Sequence, residues 1–251
     1  MKAKFNTQFE KECNSNIVKA YWFRFFRNFH LFSAVLVPFF TVWGKISFTQ
    51  IMLLQAIFTF SVFLLEIPTG VIADKLGRKT SLILAAIVGI IAPLVYASSP
   101  HFWIFALGEF LWAIGAALAS GADSALIYDS LKGVGKEKQS KKVFGRYGSF
   151  GLAGISIAAL MGGLVAQTLG ERATMFFTSV PMLIAVFIAL SLKEQKKQKK
   201  KEQKGYLETM REGVRYLKGH KILRILMVDY IIIGTLAFFL IWVYQVILQA
   251  K

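Results

Sequence analysis

The chain has 251 residues, 55% of them hydrophobic and only 18% charged, with 23 Phe and 20 Gly. That balance excludes an ordinary soluble domain and points to a polytopic membrane protein. The formal charge of +16 suggests nucleic acid at first sight. However, the lysines and arginines lie in the loops that flank apolar runs, where they hold those loops on the cytoplasmic side, so no nucleic-acid partner is expected. The single cysteine, Cys13, excludes a disulfide framework within the chain and a Cys-rich metal site.

In chain order, residues 1–16 are polar and basic and are expected as a cytoplasmic tail. Residues 17–43 form the first expected span, which is long and aromatic and carries Arg24, Arg27 and His30 in its first half. No small-residue cleavage site follows, so this span is expected to act as its own insertion signal. Further spans are expected over 50–73, 80–97, 101–127, 143–169 and 173–192, which makes residues 17–192 a six-helix bundle. A basic cytoplasmic linker over 193–220 follows, and then a seventh span over 222–248, within a final segment 221–251. Each core is long enough to cross ~30 Å of hydrocarbon as a helix. The runs are continuous rather than alternating, which argues for an all-α fold against a β-barrel.

The loops set the orientation. The turn after the second span carries Lys75, Arg78 and Lys79, and the loop after the fourth carries Lys132, Lys136, Lys138, Lys141 and Lys142. Between them, Ser98-Ser99-Pro100 has no Lys or Arg, and Glu171 and Arg172 cancel. A cytoplasmic N-terminus and an external C-terminus follow, which is opposite to a G-protein-coupled receptor. The lysine run 193–204 reads as a solvated linker that fixes topology rather than as a lipid-headgroup site. Beyond it, Tyr206, Leu207, Met210, Val214 and Leu217 have helical spacing, as in an amphipathic helix on the membrane face.

The most specific signal is the turn Gly70-Val-Ile-Ala-Asp74-Lys75-Leu-Gly77-Arg78-Lys79, between the second and third spans. It resembles the signature loop of the major facilitator superfamily at every fixed position and in the right context. Glu66-Ile67-Pro68-Thr69 and the stretch from Gly121 through Asp123 and Tyr128 to Asp129 resemble a bacterial branch of that family. The resemblance covers the whole chain but about the first half of a family member. It implies the six-helix N-terminal bundle plus the first helix of a second half. The implied activity is secondary active transport by alternating access in the plasma membrane, coupled to protons, with drug or metabolite efflux first and nutrient uptake second. The implied partners are a small-molecule solute, protons, the bilayer, and a missing second half or another chain. A fragment, a truncated non-transporting remnant and a half that associates with another chain all remain open.

The resemblance also implies roles. Gly70 and Gly77 permit close helix approach and a tight turn. Asp74 caps a helix of the second half. Arg78 pairs with an acid near the end of span four, either Asp123 or Asp129. Such a latch must break for inward opening. Glu109 stands where many members carry an arginine, before Gly115-Ala-Ala117. In span five, Gly145, Gly154, Gly162 and Gly163 keep the glycine spacing of drug antiporters, while Ala158 and Ala159 replace their Gly-Pro. Helix–helix contact is the simpler reading of those small residues.

Ionisable groups inside spans are costly and therefore candidate site residues. Arg24, Arg27 and His30 are spaced by three, near one helix face. Glu66 lies at a depth that suits a pair with Arg24 or Arg27. Glu109 is the better candidate for a proton-titratable carboxylate, and Asp229 in the last span either faces the cavity or snorkels to the edge. The three histidines are scattered, which gives no metal site, and no phosphate-binding Gly-Lys-Ser/Thr loop occurs. Neither an enzyme nor a cofactor is expected.

Overall fold

The computed structural model describes residues 2–194 and 206–249, and every regular element among them is helical. Contacts divide the chain into two units, residues 1–195 and 196–251. Among the described residues, six helical segments are long and apolar enough to cross a bilayer: Phe48–Leu76, Arg78–Ser98, Phe102–Gly133, Glu137–Leu169, Glu171–Ser191 and Lys221–Gln245. The protein is an all-α, multi-pass membrane protein.

The single helix expected over 17–43 is interrupted, and the tail expected before it is helical. Helix α1 runs from Lys2 to Arg27 without a break. The chain then turns extended at His30 and continues as a 3-10 turn at Leu31–Ala34, a short α2 at Leu36–Pro38 and a π turn at Phe39–Trp43. A broken helix leaves backbone groups without partners, and hydrocarbon offers none. Side chains supply them here. The Leu31 N–H donates to the Thr178 hydroxyl at 3.1 Å, and the His30 ring bonds the Arg27 carbonyl at 2.6 Å. Pro38, which has no N–H to donate, sits within the irregular stretch.

Helix α3 spans Phe48–Leu76 and opens on a capping box. The Gln50 N–H donates to the Ser47 hydroxyl at 3.3 Å, and the Ser47 N–H donates to the Gln50 side-chain oxygen at 2.9 Å. Helix α4 covers Arg78–Tyr96 and α5 covers Phe102–Ala119. The span expected over 101–127 breaks at Gly121, whose φ of +73° suits a residue without a Cβ, and resumes as α6, Ala122–Gly133. Helices α7, Ser140–Leu169, and α8, Glu171–Ser191, complete the first unit.

Packing follows side-chain size. Helix α4 lies between α5 and α8, α3 packs on α5, and α1 is held by α6, α7 and α8. The core between them is rich in small residues, among them Ala85, Ala86, Ala119, Ala122, Ala185 and Ala189, which let helices approach where apolar burial alone provides little drive. On α7, Gly154, Ala158 and Gly162 are buried in one row. A Cβ on Gly154 would overlap the Phe25 carbonyl oxygen, and one on Gly162 would overlap that of Leu31. The glycines of span five therefore seat α7 against the broken first segment. Large apolar side chains such as Phe60, Phe63, Leu152, Leu160 and Phe187 are exposed, as suits a surface bathed in lipid.

In the second unit, α9 covers Tyr206–Gly219 and α10 covers Lys221–Gln249. The lysine run over 195–204 and the side chains of Tyr206, Leu207, Met210 and Val214 lie outside the described residues.

The contact at Gly162 is with backbone, which cannot swing aside. Gly162→Leu is expected to destabilise the bundle by about 1–3 kcal/mol. Gly163→Ala, where a Cβ meets nothing within 4 Å, is expected to be neutral or to stabilise by up to ~1 kcal/mol. Thermal unfolding of the purified chain in detergent compares the two.

Candidate functional site

The turn between α3 and α4 is built on Gly77, whose φ of +100° places it where a side chain is strained. Arg78, the first residue of α4, reaches α6, where its Nη1 donates to the Ala125 carbonyl at 2.7 Å and pairs with the Asp129 carboxylate. Of the two acids the sequence left open for Arg78, Asp129 is the one in contact. Both side chains of the pair are partly exposed. Asp74 and Lys75 are exposed and Lys79 is half-buried. The close approach expected at Gly70 is not made within the described residues, since a Cβ there meets nothing within 4 Å.

Sequence reasoning missed Glu194. Its carboxylate accepts the Arg78 N–H at 3.0 Å and the Lys79 N–H at 2.8 Å. It thus satisfies two open donors at the start of α4 and places a negative charge at the positive end of that helix. In sequence it is one acid at the head of a lysine run, indistinguishable from a solvated linker. Only an acid immediately beyond span six hinted at it.

Deeper in the bundle, Asp123 of α6 is buried. Its Oδ2 accepts the Tyr147 hydroxyl at 2.5 Å and lies 3.8 Å from Arg24 Nη1. The Arg24 guanidinium also lies over the Tyr147 ring, 5.2 Å from its centre. Arg27 Nη2 donates to the Gly115 carbonyl of α5 at 3.1 Å. The pair expected between Glu66 and Arg24 or Arg27 is not formed. Glu66 is exposed on α3, which packs on α5 and α4, whereas both arginines point to α5, α6 and α7. Arg24, Arg27, Asn28 and His30 line a cavity of about 220 Å³, with Trp112 and Met182 among its apolar walls.

Glu109 of α5 is 5% exposed. Its Oε1 accepts Gln55 Nε2 at 2.8 Å. Glu109, Gln55 and Tyr96 line a second cavity of about 110 Å³, again with Trp112 in its wall. Trp112 is therefore common to a cavity with a carboxyl and a cavity with two guanidiniums. The structure brings Arg24, Arg27 and His30 together and keeps Glu109 apart from them. Asp229 lies on α10 with its side chain exposed.

Long apolar helices around a core of small residues, with ionisable groups gathered at interior cavities, define a polytopic helix-bundle membrane protein. The sequence matches the family model of the Major Facilitator Superfamily over residues 20–250, and the chain belongs to that family. Over 133 residues it is 29% identical to the methylenomycin A resistance protein of Bacillus subtilis (strain 168), a match that covers 53% of this chain and 27% of that protein. The crystal structure of the nucleoside transporter NupG superposes with a TM-score of 0.63 at 15% identity, covering 88% of this chain and 54% of that one. The chain thus spans little more than half of that structure, and the likeness is one of fold.

The Arg78–Asp129 pair is expected to show a coupling of about 0.2–1 kcal/mol in a double-mutant cycle with Arg78→Gln and Asp129→Asn, read from unfolding in mixed micelles. Glu194→Ala is expected to cost about 1 kcal/mol and to speed hydrogen exchange at the Arg78 and Lys79 amides. Unchanged exchange at those two amides would remove Glu194 as the cap of α4.

Proposed function

We propose that this chain works in a secondary active transporter that moves a small solute across the cell membrane by alternating access, coupled to protons and directed outward. The observation that carries the reading is Glu109, a buried carboxyl on the wall of a cavity, bonded to Gln55 and with Tyr96 in the same wall. A carboxyl without a cationic partner among the described residues changes charge when it gains or loses a proton, and burial makes that change costly enough to bias a conformation. Family membership supports transport, and the resistance named for the B. subtilis relative supports export over uptake.

In this reading the N-terminus is cytoplasmic and the Arg78–Asp129 contact ties the cytoplasmic ends of α4 and α6. Asp74, exposed in the first unit, is available to a helix of a second six-helix half. The partners are a solute, protons and the bilayer.

Everted vesicles carrying the full-length form test the coupling. Solutes from a panel of growth-inhibiting compounds are added, and a pH-sensitive dye reports proton movement. A responsive compound is expected for the wild type, with at least a tenfold smaller response in Glu109→Gln. An equal response in that variant would exclude Glu109 as the proton carrier, and no response to any compound would exclude proton-coupled export.

A further inference from the structure

We propose that the cavity beside α1 is a binding site for a small organic anion, with its oxyanion head on Arg27 and Arg24 and its apolar part against Trp112 and Met182. The proposal rests on the transporter reading and names the class of its solute.

The argument begins with charge. Two guanidiniums face this cavity, and one carboxylate, Asp123, lies within ion-pair distance of either among the described residues. That carboxylate is largely engaged elsewhere. Its Oδ2 takes the Tyr147 hydroxyl and its Oδ1 takes the Ser124 N–H, each at 2.5 Å, while Arg24 Nη1 stands off at 3.8 Å. Arg27 bonds a neutral carbonyl, that of Gly115, and no carboxylate among the described residues pairs with it. Arg24 Nε is buried with no hydrogen-bond partner among them. The cavity wall therefore holds an excess of one positive charge and open N–H donors in an apolar surround.

A half-buried cation that lacks a full counter-charge in an apolar surround is costly, and the group that completes it is an anion. Guanidinium forks match the paired oxygens of a carboxylate or phosphate, and low surrounding polarity strengthens such bonds. Asn28 adds an amide to the same wall. The indole of Trp112 and the thioether of Met182 select an anion with an apolar body over an inorganic one. A cationic solute would meet two like charges at close range and be excluded.

The test uses four probes of nearly one shape: benzoate, phenyl phosphate, neutral benzamide and cationic benzamidine. Binding to the full chain in detergent is measured by calorimetry and by the shift in melting temperature. The expected result is that benzoate or phenyl phosphate binds at least tenfold more tightly than benzamide, that benzamidine does not bind, and that Arg27→Gln abolishes the preference. Arg27→Lys keeps the charge and loses the fork, and is expected to keep only part of it. If Arg27→Gln does not elute as a single species, Arg24→Gln and Arg27→Lys carry the comparison. Equal binding of benzoate, phenyl phosphate and benzamide, or an anion preference that survives loss of either guanidinium, overturns the proposal. Vesicle proton flux without any anion preference would refute the anion site alone. Anion binding without flux would refute the transport reading alone.

Discussion

A polar group carried into the apolar interior of this bundle is costly unless it is partnered within the protein, because lipid offers no partner. The broken first segment depends on that rule most. After Asn28 the helical bonds give way to tighter turn bonds from Phe29 and His30, and the Thr178 hydroxyl of α8 and the His30 ring satisfy the Leu31 N–H and the Arg27 carbonyl. The same interruption seats α7, whose Gly154 and Gly162 touch the carbonyls of Phe25 and Leu31. A straight helix here would carry no extended residue at His30 and would present a different surface to α7. The irregularity is thus the fitting between three elements, and it gathers Arg24, Arg27 and His30 at one cavity.

The turn after α3 shows a related economy. One acid from α6, Asp129, holds the Arg78 side chain, and a second acid from the end of α8, Glu194, holds the Arg78 and Lys79 amides. Side chain and backbone of one residue are therefore tied to two places, α6 and the segment that follows α8. Movement of α4 against α6 has to break a partly exposed ion pair, which is a modest obstacle. Movement of α4 against α8 has to uncover two backbone donors at a helix start. Both ties lie near the surface, the Glu194 bonds exposed and the ion pair partly so.

How much of this was legible in the sequence depended on the range of the interactions. Continuous apolar runs such as those of α3, α4 and α8 declare themselves, because each needs only its own composition to be helical in lipid. The motif turn was legible for the same reason, since Gly77 and Arg78 are read in place. The interruption after Arg27 was not. Its aromatic sequence shows no glycine, and its cause lies on α7 and α8, more than a hundred residues away. The pairing of the intramembrane charges failed as well. Depth along a span suggested Glu66 for the arginines, but depth says nothing about which helices are neighbours, and α3 faces α5. Glu194 was hidden by its basic flanks.

The two interior cavities divide the chemistry of the bundle. One is lined by a carboxyl whose partner, Gln55, is neutral. The other is lined by two guanidiniums that outnumber their carboxylate. Charges of opposite sign placed together would have neutralised each other as an ion pair. They are kept apart here, and Trp112 stands in the wall of both cavities. A rigid aromatic side chain shared by two cavities cannot be displaced toward one without enlarging the other. Trp112 is therefore the side chain whose displacement would reshape both cavities at once.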